Sequence, residues 1–237
     1  MFLKKMNEKL SRSLEDAGLT KPTDLQKETW GTIKSGADCV FLADKDLGKS
    51  TTIVINVIQR LEKPFEESPR ALIFVKDKAK VLEMVEMFKK YDSYGNLRVY
   101  GVYEQGDIDY DKNQISLGLD VLIGSTPRLS DMFSSAGFDV NQLKMFIVDD
   151  IEDQLKVRME TKIVRISNSI AKTQRLFFTD VITDRVEILA DKIMIEPVFF
   201  EFDDQDDDEE EEEYDEELEG LAGLEFDDET EEEDNNK

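Results

Sequence analysis

Seven short runs rich in β-branched and aromatic residues recur along the first 202 positions of the chain: CVFLA (39–43), ALIFV (71–75), LRVYGV (97–102), DVLIG (120–124), KMFIVD (144–149), RLFFT (175–179) and EPVFFEF (196–202). Apolar residues fill consecutive positions in most of these runs, which is how strands buried on both faces read. Between them lie segments with helical spacing, such as Val54, Ile55, Ile58 and Leu61, or Val81, Leu82, Val85 and Phe88. Alternation of strand and helix restricts the chain to an α/β fold, a mostly parallel sheet with helices on both faces. Ligands of such sheets bind outside the carboxyl ends of the strands.

Charge marks where this pattern stops. The 237-residue chain carries a net charge of -25, and residues 201–237 hold 23 acidic residues against one basic. Residues 1–200 are nearly balanced, with 32 acids and 29 bases. A run such as DDQDDDEEEEEYDEELEG repels itself and buries little apolar surface, so residues 203–237 are expected to form a disordered acidic tail behind a single domain spanning 1–202. The one cysteine, Cys39, sits in an apolar run and reads as a small buried hydrophobe. The absence of histidine removes imidazole acid–base chemistry and most transition-metal sites. The N-terminus, MFLKKMNEKLSRSLEDAG, is amphipathic and charged, unlike a signal peptide, and no segment is long enough to span a bilayer, so a cytoplasmic protein without membrane contact is expected.

The first strand run leads into ADKDLGKS (43–50), with a helical pattern after it. This is the context of a phosphate-binding loop, in which backbone N–H groups wrap the phosphates, a lysine neutralises them and the next hydroxyl ligates magnesium. Gly48, Lys49 and Ser50 supply these elements, although a Gly-Lys-Ser turn after a strand also arises by chance. Asp46 stands where such a loop usually has a flexible glycine, and it places a carboxylate where phosphate oxygens would sit. Lys45 offsets part of that repulsion without restoring a glycine's freedom. A second motif, FIVDDIED (146–153), is an apolar strand ending in acids. Asp149 is placed to hold magnesium and Asp150 to position or activate an attacking water, with a side chain one methylene shorter than glutamate. The competing reading is an acidic first helical turn that complements the helix dipole.

The order of these motifs resembles the first RecA-like domain of a DEAD-box RNA helicase, over essentially all of residues 1–202. GLTKPTDLQ (18–26) is similar to the family's adenine-reading motif, with Pro22, Thr23 and Gln26 in place and Phe2 near the usual upstream aromatic. ADKDLGKS matches the first ATPase motif, RVYGV (98–102) lies where the family has Tyr-Gly-Gly, and VDDIED stands where Asp-Glu-Ala-Asp is expected. DVLIGSTPRLSDMF (120–133) resembles the RNA-backbone motif Thr-Pro-Gly-Arg, and EPVFF (196–200) the segment closing the domain. The resemblance implies a single RecA-like P-loop domain that binds ATP through Thr23, Gln26, Gly48, Lys49, Ser50 and Thr51. It further implies Mg2+ held by Ser50 and Asp149, a catalytic role for Asp150, and RNA contact through Thr126, Pro127 and Arg128. Arg128 also reads as a solvated residue at a helix start, and that reading is the preferred one.

Departures accompany every match. VKDKAKV (75–81) lacks the family's Pro-Thr-Arg-Glu-Leu, and FFTDV (177–181) replaces the Ser-Ala-Thr that couples hydrolysis to unwinding. Thr126-Pro127-Arg128 lacks the intervening glycine, and Asp150, Ile151 and Glu152 all differ from Glu-Ala-Asp. No second RecA-like domain follows within this sequence, so the arginines and the half of the RNA clamp that such a domain supplies are not expected here. The expected function is a degenerate helicase-like domain that binds nucleotide, RNA or protein as an accessory in RNA or ribosome metabolism. Two alternatives stand beside it: a single-domain ATP-binding protein with slow Mg-dependent hydrolysis completed by a partner, and a chaperone that captures basic proteins through the acidic tail. Within that tail, Leu218, Leu221, Leu224 and Phe226 are candidate anchors for a partner groove or incidental apolar residues of a solubilising segment.

Overall fold

The computed structural model describes residues 3–44 and 46–202. Phe2, Lys45 and the expected tail at 203–237 lie outside the described residues.

All seven strand runs form strands: β1 (Cys39–Ala43), β2 (Ala71–Val75), β3 (Val99–Val102), β4 (Val121–Ser125), β5 (Met145–Val148), β6 (Gln174–Thr179) and β7 (Val198–Phe202). They make one sheet in the order β3-β4-β2-β5-β6-β1-β7, and every neighbouring pair is parallel. Among the described residues, nine α-helices connect or precede the strands: α1 (Glu8–Asp16), α2 (Asp24–Ser35), α3 (Lys49–Leu61), α4 (Lys78–Tyr91), α5 (Ile108–Ser116), α6 (Thr126–Ser134), α7 (Ile151–Lys156), α8 (Glu160–Ser167) and α9 (Asp184–Ile193).

The two-residue period of a strand divides the core in two. Cys39, Phe41 and Ala43 of β1, with Ile73 of β2 and Ile147 of β5, pack against α1–α4. Their sequence neighbours Val40, Leu72, Phe74, Phe146 and Val148 pack against α5–α9 on the opposite face. α3 is buried on most sides, with Ile53, Val54, Ile55, Val57, Ile58 and Leu61 all in the core. Of the helical pattern read at 81–88, Val81 and Phe88 are buried, but Leu82 is exposed, because only one stripe of α4 meets the sheet.

A buried ion cluster aligns the amino ends of three strands. Asp120, fully buried just before β4, accepts from Arg70 before β2 at 2.7 Å and from Arg98 before β3 at 2.8 Å, and also from the backbone N–H of Phe65 and Arg98 at 3.0 Å. Burial alone would push its carboxyl up, yet these donors outweigh it and hold the group below its ordinary value. The opposite, carboxyl ends of the strands are thereby left to the loops that carry the two motifs.

Candidate functional site

β1 runs into the loop at 44–48, and Gly48, with φ 83°, caps the start of α3 in the left-handed region. A Cβ there would meet only ordinary van der Waals contact, with Gln26 Nε2 at 3.4 Å and Thr23 Cγ2 at 3.7 Å, so it is the backbone angle that calls for glycine. Thr23 and Gln26 form the capping box of α2: the Thr23 hydroxyl accepts from Gln26 N–H, and Gln26 Oε1 accepts from Thr23 N–H at 3.2 Å. The capping box consumes the amide oxygen of Gln26 and leaves its NH2 group beside the phosphate loop. The structure thus brings together two motifs separated by more than twenty residues in sequence.

Lys49 folds back over the loop and donates to the carbonyls of Ala43 at 2.6 Å and Asp44 at 3.3 Å. Asp46 adopts φ 78°, the left-handed conformation that glycine takes without cost. Its position confirms why a glycine suits this point of the loop. Asp46 is exposed, makes no ion pair among the described residues, and lines a cleft of about 400 Å3 together with Gly48, Lys49, Ser50, Thr51 and Asp150. Lys76 and Lys80 form the far wall; Lys80 pairs with Glu83 at 3.0 Å and Lys76 with Asp150 at 3.6 Å.

Asp149 follows β5 at the inner end of this region and is 2% exposed. Its Oδ2 is buried and has no hydrogen-bond partner among the described residues. Burial, reinforced by the neighbouring Asp150 carboxylate, pushes its carboxyl up to about 7, against the pull of Lys80 and Lys49. A buried acceptor without a donor, near two lysines and a phosphate-type loop, suits a divalent cation. No cluster of three metal-ligating side chains exists among the described residues. Asp150 occupies the left-handed region, φ 48°, at the turn into α7.

The third expected cluster is rearranged. Arg128 is neither solvated nor free: it is 6% exposed, and its guanidinium donates to Asp111 Oδ2 through Nε at 3.1 Å and to the Gly106 carbonyl at 2.9 Å. The reading of a solvated helix-start residue is therefore corrected, because Asp111, itself bonded to the Tyr100 hydroxyl at 2.9 Å, supplies a buried counter-charge that nothing in the local sequence announces. Thr126 is also buried, its hydroxyl donating to Gln154 Oε1. At the N-terminus of α6, the Ser125 hydroxyl donates to Glu104 Oε2 at 2.9 Å instead of capping the helix. A carboxylate already faces the end of the helix that would attract a phosphate.

Sequence reasoning missed Gln154, Glu104, Asp111 and Thr183. Thr183 donates to Glu152 Oε2 at 2.7 Å and so ties the segment after β6 to α7, while Thr179, in the FFTDV motif, turns back onto Val181. Only the spatial partner gives each of these residues meaning. Gly101, read as a remnant of Tyr-Gly-Gly, has a packing reason of its own: a Cβ there would lie 2.6 Å from Val81 and 2.9 Å from Val85 of α4.

A parallel sheet with a lysine-bearing phosphate loop after one strand and a buried aspartate at the end of another defines a RecA-like P-loop domain. The DEAD/DEAH box helicase family model matches residues 23–187, and the chain belongs to that family. It is 21% identical to the eukaryotic initiation factor 4A of Caenorhabditis elegans, over 81% of this chain and 48% of the relative. It is 24% identical to the ATP-dependent RNA helicase eIF4A of Eremothecium gossypii, over 82% and 49%. The chain therefore spans about half the length of these relatives. The fold superposes on a DEAD box protein from the hyperthermophile Methanococcus jannaschii with a TM-score of 0.77, at 18% identity, covering 83% of this chain and 54% of that one. No helix among the described residues is long and apolar enough to cross a membrane.

Proposed function

We propose that this chain is a DEAD-box-type domain that binds a magnesium nucleotide and serves RNA metabolism by binding, without unwinding RNA on its own. The observation that carries the nucleotide half is the unpartnered Asp149 Oδ2, buried near Lys49 and Lys80. In this reading Lys49 exchanges its loop carbonyls for phosphate oxygens, Ser50 and Asp149 hold Mg2+, Gly48 and Thr51 line the phosphate cleft, and the Thr23–Gln26 pair meets the base. Bound Mg2+ would neutralise phosphate charge and relieve the cost of burying an ionised Asp149. Asp150 is the candidate for positioning water. Its ion pair with Lys76 and its short side chain hold it back from that role, which supports slow or absent hydrolysis.

Loss of unwinding is supported by the RNA-facing residues. Arg128 is committed to Asp111, Thr126 is buried with its hydroxyl on Gln154, and Glu104 presents a negative charge at the start of α6, so RNA contact falls to Pro127 and nearby backbone. A second reading, slow ATP hydrolysis completed by a partner, is supported by the surviving phosphate and magnesium positions, Lys49, Ser50 and Asp149. Capture of a basic protein by residues 203–237 rests on their charge alone.

The deciding experiment titrates the full chain and its Lys49→Ala variant with a fluorescent ATP analogue and Mg2+, followed by ATP turnover with and without RNA. Binding by the wild type that Lys49→Ala abolishes, with little turnover, is the expected result. Absence of binding by the wild type overturns the nucleotide reading. Rapid RNA-stimulated turnover that depends on Lys49 overturns the reading of a domain that acts by binding alone.

A further inference from the structure

The amino edge of the sheet, opposite the edge that carries the phosphate loop, holds a cleft of about 730 Å3. One strand, on the order of 15 Å, separates the two edges. Three cations reach the cleft from three segments: Arg60 in the last turn of α3, Lys144 just before β5 and Lys172 just before β6. All three are exposed, and none makes an ion pair or a side-chain hydrogen bond among the described residues. Arg60 is laid over the left-handed glycine that ends α2, where a Cβ on Gly36 would lie 3.7 Å from its Nη2. Two carboxylates line the same cleft. Asp38 is buried and accepts from the main-chain N–H of Arg175 at 2.7 Å and of Ile195 at 2.8 Å, and its charge is offset by the Arg175 guanidinium, which bonds only to Ser167 and the Thr173 carbonyl. Three cations therefore face one remaining carboxylate, Glu62, and the excess of two positive charges matches a phosphomonoester dianion.

A second feature lies deeper. Gln174, the first residue of β6 and 5% exposed, donates through Nε2 to the carbonyls of Ile33 at 2.9 Å and Ala37 at 2.7 Å. Both partners can only accept, so the orientation of the amide is fixed and Oε1 is the atom left over. It is buried and has no donor among the described residues, a state that costs stability until a donor arrives. Gln174 also borders a smaller cavity of about 180 Å3, which shares Arg60 and Glu62 with the cleft and has Ile33 and Met145 as apolar walls. Cations outside and an acceptor among apolar walls behind them call for a ligand with an anion at one end and an N–H donor on a flat, partly apolar group at the other. Inorganic phosphate offers no such group. An acidic peptide offers the charge, but its N–H groups are flanked by side chains that a cavity of this size does not admit. Together the two cavities have the size of a small-molecule site.

We propose that these joined cavities form a second ligand site, which takes a free nucleoside monophosphate whose base carries an exocyclic amino group, with the phosphate on Arg60, Lys144 and Lys172 and the amino group on Gln174 Oε1. The site is separate from the phosphate-loop cleft and does not depend on the nucleotide reading of that cleft.

The test titrates the full chain by isothermal calorimetry with AMP, CMP, IMP, UMP and inorganic phosphate, in the wild type, in Lys49→Ala and in a double variant, Lys144→Ala with Lys172→Ala. AMP and CMP carry an amino group where IMP and UMP carry a carbonyl, so the first two are expected to bind roughly tenfold or more tightly than their partners. That binding should persist in Lys49→Ala and weaken at least about tenfold in the double variant. The double variant should melt with the wild type, since both lysines are exposed and unpaired. AMP binding that is lost in Lys49→Ala and kept in the double variant belongs to the phosphate-loop cleft and overturns the proposal. Equal affinity for AMP, IMP and inorganic phosphate leaves an anion site without a base pocket and overturns it, as does a wild type that binds none of them. An oligoglutamate peptide that binds the wild type and not the double variant, where AMP binds neither, assigns the cleft to an acidic protein segment and overturns the nucleotide.

Discussion

Replacing Asp149 by asparagine is expected to stabilise the metal-free protein, by an amount that grows with pH. The Asp149 carboxyl is raised from its ordinary value of 3.8 to about 7 by burial and by the adjacent Asp150. A raised acid means that the native state keeps a proton that the unfolded chain gives up. Between pH 3.8 and pH 7 the wild type therefore loses stability at about 1.4 kcal/mol per pH unit, and above pH 7 the loss levels off. The full difference of about three units corresponds to about 4 kcal/mol, of which roughly a third is already present at about pH 5. Asparagine keeps the shape and carries no charge, so it escapes the whole penalty. Urea unfolding without Mg2+ or nucleotide at about pH 5 and about pH 8.5 should show Asp149→Asn gaining about 3 kcal/mol more at the higher pH, with the dependence on urea unchanged. In a thermal melt the same gain is a rise of about 6–12 °C for a domain of this size. Added Mg2+ and nucleotide should then stabilise the wild type and leave Asp149→Asn nearly unmoved, because only the carboxylate offers the cation a charge. Equal stability differences at the two pH values would refute the reasoning, since the side chain would then be ionised at little cost in the native state.

Asp120→Asn should cost about 3–5 kcal/mol in urea unfolding, since an amide cannot accept from donors on both sides and leaves the buried Arg70 without its counter-charge. A loss below about 1 kcal/mol would show that the arginines find water instead. Gly101→Ala forces a methyl group against Val81 and Val85 and is expected to cost about 1–3 kcal/mol by the same assay. A neutral result would mean that α4 moves away from β3 freely. Asp46→Gly removes a left-handed aspartate but gives the unfolded chain more freedom, two effects of about 1 kcal/mol that nearly cancel, so stability should hardly change. Affinity for the ATP analogue should nevertheless rise, because a carboxylate leaves the phosphate cleft; an unchanged affinity would show that Asp46 points its charge into water.

The fold was legible because burial on both faces leaves a strong trace. Consecutive apolar residues such as ALIFV can be satisfied only by a strand covered above and below, and seven such runs alternating with helical spacing admit few arrangements. The loop chemistry was legible where it depends on residues adjacent in sequence: Gly48, Lys49 and Ser50 at the start of α3, and Asp149 and Asp150 after β5. Element ends were less so. LRVYGV shortens to Val99–Val102 because Leu97 and Arg98 are drawn into the contacts around Asp92 and Asp120.

What the sequence by itself determined was the order of elements, the parallel sheet and the residues placed at its carboxyl edge, since these follow from hydrophobic period and local turn chemistry. Only the tertiary structure decided how each charge is used. Arg128 meets Asp111, seventeen residues away, Glu104 meets Ser125, and Gln154 joins Thr126 to Asp149 across the end of β2. The free energy of a charge or an amide depends on its burial and on the donors and acceptors around it. Those partners come from elements that the chain brings together only when the sheet is assembled.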